Sequence, residues 1–146
     1  MKKFEIASVV DALAKIRLTK IETKEVRKQL AGVYFSILSE QKKFEADREN
    51  LETVHLGSFK EERQEIGKLQ QQFNEETDQA KRAEINREIE GHTELIAAVQ
   101  DYNAAVLALG NEEIEVDGIG REELLAELID QDLELGQLSA IEAIMK

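Results

Sequence analysis

The chain has 146 residues, a net charge of −12, 34 % charged and 5 % aromatic side chains, and no Cys, Pro or Trp. Lack of cysteine excludes a disulfide framework and thiolate-held zinc or iron–sulfur sites, and an acidic chain lacks the excess of Lys and Arg that displaces counterions from nucleic acid. The length suits one domain, 1–146, with a modest core, and no run is apolar enough for a signal peptide or a membrane span.

Phe4 to Ala14 reads as a first helix. Ile6, Val9, Val10 and Leu13 fall at helical spacing and make one amphipathic stripe. Ile16-Arg17-Leu18-Thr19 alternates apolar and polar, as a short strand or an extended linker would. A long helix follows, beginning near Thr19 or Thr23. Thr19 with Glu22 fits a capping box, and Thr23 is the alternative N-cap. From Thr23 to Val54 the apolar residues Val26, Leu30, Val33, Ile37, Phe44, Leu51 and Val54 form a narrow seam close to a heptad pattern. Glu40 and Asp47 interrupt it. A helix of about 32 residues is about 48 Å long and needs a partner along its side. The expected partner is the segment from Ser58 to Leu109. Gly32, inside the pattern, reads as a tolerated glycine or as a close approach of another backbone.

His55-Leu56-Gly57-Ser58 ends the long helix, and Ser58 with Glu61 fits a second capping box. The tip of a hairpin is expected at Gly57–Ser58. The alternative is a tip near Thr77 with Gly57 as a kink. Ile66, Leu69, Phe73 and Ala80 carry the seam onto the returning helix, and Ile85, Ile89, Ile96, Val99 and Val106 continue it in a shifted frame. Residues 90–109 are the most apolar stretch, so the core is expected there. The stalk then covers about 40–85, on a base built from 1–22 and 90–146. Ile114 and Val116 alternate with acids and read as a strand, whose expected partner is 16–20. Arg121 to Leu128 reads as a short helix, and Ser139 with Glu142 as a third capping box opening a last helical turn. The fold class is therefore mainly α: a long antiparallel helical hairpin or coiled-coil stalk on a small helical base, with a two-stranded ribbon as an optional addition.

Charge is uneven along the chain. Residues 1–28 carry +4 and residues 111–146 carry −9. Such ends attract each other, although acidity also serves solubility alone. No residues assemble into a recognisable catalytic pattern. His55 and His92 lack a second ligand at metal spacing. Asp130-Gln131-Asp132-Leu133-Glu134 lacks the glycine and distal glutamate of a calcium loop. Gly118 and Gly120 lack a P-loop lysine. Serines 8, 36, 39, 58 and 139 lack a nucleophile-elbow context. No catalytic residue, cofactor or metal ligand is assigned. The residues expected to act are the seam itself: Val26, Leu30, Val33, Ile37, Phe44, Leu51, Ile66, Leu69 and Phe73, with Ile114 and Val116 in the strand.

Several stretches carry a family resemblance. These are "KIRLTKIETKEVRKQL", "SEQKKFEADRENL", "YNAAVLALGNEEIEVDGIGREELL" and the ending "LSAIEAIMK". Their order resembles that in a family of small tailed-bacteriophage and prophage proteins. The matching elements are Leu18, Lys43-Phe44-Glu45, Arg48 to Leu51, Ile114 to Ile119, and Leu138 to Met145. The chain departs from the pattern in lacking a proline beside Leu18 and in ending on Lys146. The resemblance covers both ends and is weakest from Gly57 to Glu94. It implies a setting of virion structure and assembly and brings no catalytic residue with it. The expected function is a non-enzymatic virion or assembly component, oligomeric, with other virion proteins as partners and without nucleic acid or membrane. It would act in the host cytoplasm during assembly, or in the virion. Two alternatives are an acidic inhibitor of a host defence or nucleic-acid enzyme, using carboxylates of 112–134, and a hairpin chaperone or adaptor.

Overall fold

A computed structural model describes residues 1–146 and is mainly α. The helices are α1 (Ile6–Leu13), α2 (Lys24–Leu56), α3 (Lys60–Glu75), α4 (Gln79–Glu90), α5 (Thr93–Asn111), α6 (Arg121–Leu128) and α7 (Leu135–Ile141), with 3-10 turns at Lys3–Glu5, Leu18–Lys20, Gly57–Phe59 and Glu142–Ile144. Two compact units are present: Met1–Ala46 with Leu109–Lys146, and Asp47–Ala108. No helix is long and apolar enough to cross a membrane.

The first unit is built around the N-terminal part of α2. Val26, Leu30, Val33 and Ile37 are buried in one cluster with Ile6, Val9 and Leu13 of α1, Leu124 and Leu128 of α6, and Ile141 of α7. This corrects the expected partner of the seam. Its first half packs on α1, α6 and α7, and no residue from 58–109 belongs to that cluster. The core expected at 90–109 is displaced for a related reason. In that stretch only Leu95 is a buried hydrophobic, while Ile96, Ala97, Ala104 and Leu107 are exposed. The stretch is rich in large apolar side chains, but through Ala108 it belongs to the second unit and not to the unit in which α1, α6 and α7 bury the seam of α2.

The oppositely charged ends meet in the first unit. Ile114 N–H donates to the Met1 carbonyl (2.8 Å) and Lys3 N–H to the Glu112 carbonyl (3.0 Å), while Lys3 Nζ lies 2.6 Å from a Glu112 carboxylate oxygen. At the other end of this segment, Ile119 N–H donates to the Ile144 carbonyl (2.8 Å) and Lys146 N–H to the Ile119 carbonyl (3.0 Å). Residues 112–119 therefore pair with both chain ends and not with 16–20. The pairing amounts to two isolated bridges, Lys2 with Glu113 and Ile119 with Met145, so no ribbon forms. Leu18–Lys20 is a 3-10 turn instead. Ile114 and Val116 are half-buried against the core, as their alternation requires.

Two glycines show what the backbone needs. A methyl group on Gly32 would meet nothing within 4 Å, so this glycine is merely tolerated. On Gly110 it would overlap the Phe4 ring. That ring also meets Phe44 edge-on, with centroids 6.0 Å apart at 86°. Gly110 lies within α5, and close approach of an aromatic ring explains it.

In the second unit α3 and α4 form an antiparallel hairpin. The Phe73 ring carries the Arg82 guanidinium at 4.3 Å, and Glu62 meets His92 Nδ1 at 3.2 Å. Ile66, Leu69 and Phe73 are half-buried on α3. The tip is at Glu76–Asp78, where Glu76 and Asp78 have extended backbone (ψ 131 and 119). The Asp78 carboxylate caps α4, accepting from the N–H groups of Ala80 (2.8 Å) and Lys81 (3.3 Å). Gly57–Ser58 is not the tip. Leu56 (φ −120, ψ −5) and Phe59 (φ −104, ψ 18) keep the chain turning in the helical sense, and no glycine has positive φ. The break is a single 3-10 turn, bridged by an Arg63–Glu52 ion pair of 2.9 Å. The Ser58 box is not formed, since α3 starts without a side-chain cap. Nor is the Ser139 box. Ser139 lies inside α7, whose cap is Glu134 with Gln137.

Candidate functional site

An apolar groove lies in the first unit. Leu13, Ala14, Ile16 and Leu18 form one wall, and Leu30, Ala31, Tyr34 and Phe35 of α2 form the other. Its volume is about 320 Å³, at the bottom of the range of about 300–1,000 Å³ for small-molecule sites. Phe35 is 66 % exposed and Leu18 43 % exposed. Two large apolar side chains at the lip of an apolar groove describe a contact surface better than a ligand cage.

Local sequence explains the groove. Leu30, Val33 and Ile37 point into the core, so Ala31, Tyr34 and Phe35 fall on the flank of the same helix. Ala31 is too small to fill the space beside Leu13. The Tyr34 and Phe35 rings meet edge-on at 5.7 Å. Ile21 is buried and anchors the stretch that follows Leu18.

Exposed bases neighbour these residues in the chain. Lys15, Arg17, Lys20, Lys24, Arg27 and Lys28 are exposed. Lys15 and Arg17 flank Ile16 and Leu18 in sequence, and Arg27 and Lys28 stand one turn before Ala31 on α2. Residues 15–28 hold six bases against Glu22 and Glu25, and the acidic residues Glu127 and Asp130 lie beside them.

The turn carrying Leu18 is fixed from outside. Gln131 clamps Arg17 through both amide atoms: Arg17 N–H donates to Oε1 (2.9 Å), and Nε2 donates to the Arg17 carbonyl (3.1 Å). The Glu127 carboxylate accepts from Glu22 N–H (2.7 Å) and Thr23 N–H (2.9 Å). The Thr23 hydroxyl first, then those two amides, hold the Glu127 carboxyl below its ordinary value, with the Arg27 charge adding least and desolvation opposing them. Thus α6 supplies the cap for the start of α2, a role local capping patterns could not reveal.

The seam residues are not gathered into one site. Val26, Leu30, Val33 and Ile37 belong to the first unit's core, with Leu30 also reaching the groove floor. Phe44 packs on Phe4. Leu51, Ile66, Leu69 and Phe73 lie in the second unit, half-buried. Glu40, which interrupts the seam, accepts from Lys43 one turn on. Tyr34 and Phe35 were not legible as site residues, because they fall off the apolar stripe. Their signal is an aromatic pair beside that stripe, a few residues from a run of bases. No group of three His, Asp or Glu side chains converges as metal ligands would. Compared with protein-family models, curated proteins and solved structures, the chain matches none.

Proposed function

We propose that this chain is a non-enzymatic bacteriophage or prophage protein of virion structure or assembly, acting by protein–protein contact and as an oligomer. The observation that carries the reading is the groove. It is lined by apolar and aromatic side chains and has Phe35 standing 66 % exposed at its lip. Exposed anchors of this kind are what association surfaces bury. The family resemblance at both ends of the chain supports the phage setting. A second reading, an acidic inhibitor of a host enzyme, draws on the exposed carboxylates Glu112, Glu113, Glu115, Asp117, Asp130, Asp132 and Glu134.

The test is purification of the tagged chain from bacteria producing the phage that encodes it. Co-purifying portal, tail or capsid proteins support the assembly reading. Recovery of one host nuclease instead favours the inhibitor. Recovery of neither overturns both.

A further inference from the structure

Two surfaces of the first unit leave large apolar side chains in water, and they carry opposite charge. One is the groove, with Phe35 and Leu18 at its lip and the exposed Lys15, Arg17, Lys20, Arg27 and Lys28 close to its lining residues in the chain. The other is the short segment from the end of α6 to the start of α7. There Ile129 is 80 % and Leu135 86 % exposed, the two most exposed large hydrophobic side chains of the chain. Asp130, Asp132 and Glu134 stand between them. From Glu122 to Met145 there are seven acidic residues and no basic one.

These surfaces adjoin. The Gln131 clamp on Arg17 and a 3.4 Å bond from Lys20 Nζ to the Asp130 carbonyl hold the acidic segment beside the turn that carries Leu18. The chain's own Ile129 does not fill the groove, because it remains 80 % exposed. A surface with a basic apolar hollow next to an acidic apolar knob is complementary to a rotated copy of itself. A two-fold axis through it seats both knobs in both grooves at once and closes the assembly.

We propose that the groove is occupied by the Ile129–Leu135 segment of a second copy, in an isologous dimer closed by the exposed Lys and Arg side chains of residues 15–28 against Asp130, Asp132 and Glu134. This rests on the reading that the chain works by protein contact, and specifies which surface and which partner segment are used. Apolar contact supplies the holding, while the opposed charges set orientation and speed of encounter. The dimer is therefore sensitive to salt, because these charges are exposed.

The chain contains no cysteine, so single cysteines report proximity without background. Two preparations, Phe35→Cys and Ile129→Cys, are mixed and treated with a short bis-maleimide. A cross-linked pair containing one chain of each is expected, and none from Val54→Cys mixed with Ile129→Cys. Sedimentation of the full chain should show a dimer that weakens at least about tenfold in Phe35→Asp or in Ile129→Lys, with unchanged circular dichroism. It should also weaken from about 0.05 M to about 0.5 M salt. A monomer at every concentration overturns the proposal. So does a dimer indifferent to both substitutions, or one that cross-links only through Ile96→Cys on α5. If virion proteins still co-purify with a monomeric chain, the dimer and the oligomer fail together, and contact with virion proteins stands alone. If the dimer forms and no virion protein is recovered, the assembly reading fails alone.

Discussion

Ile6, Ile119, Leu124, Ile141 and Ile144 of the first unit are almost wholly enclosed, whereas the second unit encloses only Leu56 and Leu95. Both units are helical and both draw on the same seam. The first gathers helices from distant parts of the chain around one side of α2, so each Ile or Leu loses water on every side. The second lays α3 against α4 and leaves Ile66, Leu69 and Phe73 half-buried. It compensates with polar pairs, Glu62 with His92 and Arg63 with Glu52, and with Arg82 over Phe73. Exposed pairs of this type contribute little each. The lesson is that a heptad-like seam does not by itself say how tightly it will be buried. That depends on how many helices converge on it.

The largest expected effect is on the enclosed core. Leu124→Ala should cost about 2–5 kcal/mol in chemical denaturation. Leu69→Ala, half-buried in the α3–α4 hairpin, should cost about 1 kcal/mol on the same scale of lost area. Equal losses would erase the contrast between the units. Next is Gly110→Ala, which must push the Phe4 ring off both Gly110 and Phe44, at about 1–3 kcal/mol. Gly32→Ala should act in the opposite direction. Its site is open, so the better helix former should stabilise the first unit by up to about 1 kcal/mol. Thermal melts of the two glycine variants should therefore move apart.

The smallest effect is one of pH. The Glu127 carboxyl is held below its ordinary value of 4.5, first by the Thr23 hydroxyl and then by the Glu22 and Thr23 amides. A carboxyl depressed in the folded chain stabilises it above the unfolded value. That contribution is lost as pH falls through the folded value. Glu127→Gln should thus lower stability at neutral pH and flatten the acid limb below about pH 4.5. A denaturation series against pH checks this. An acid limb of unchanged steepness would remove the α6 cap from the account.

Much of the helical order was legible in the sequence. The stripe Ile6, Val9, Val10 and Leu13 marks α1, and the run Arg121 to Leu128 coincides with α6. What escaped were features decided by tertiary partners. Ser58 and Ser139 had the spacing of capping boxes, but the chain continues helically through one and encloses the other within α7. Ile114 and Val116 alternate as a strand does, and the nearest sequence cue pointed to 16–20. The chain termini offered the free N–H and C=O groups instead. The tip fell at Glu76–Asp78 because Asp78 caps α4, a stronger local stop than Gly57 without positive φ. The groove was hidden because its aromatic residues lie beside the stripe used to read the helix.

Hydrogen exchange on the full chain, from dilute to concentrated protein, tests most directly that the chain acts through the groove face of its tightly packed unit. At every concentration α1, α6 and the start of α2 should exchange slowly and α3–α4 quickly. On concentration, new protection should appear in 13–35 and 127–135 alone. Protection gained in α3, α4 or α5, with those two stretches unchanged, would contradict the account.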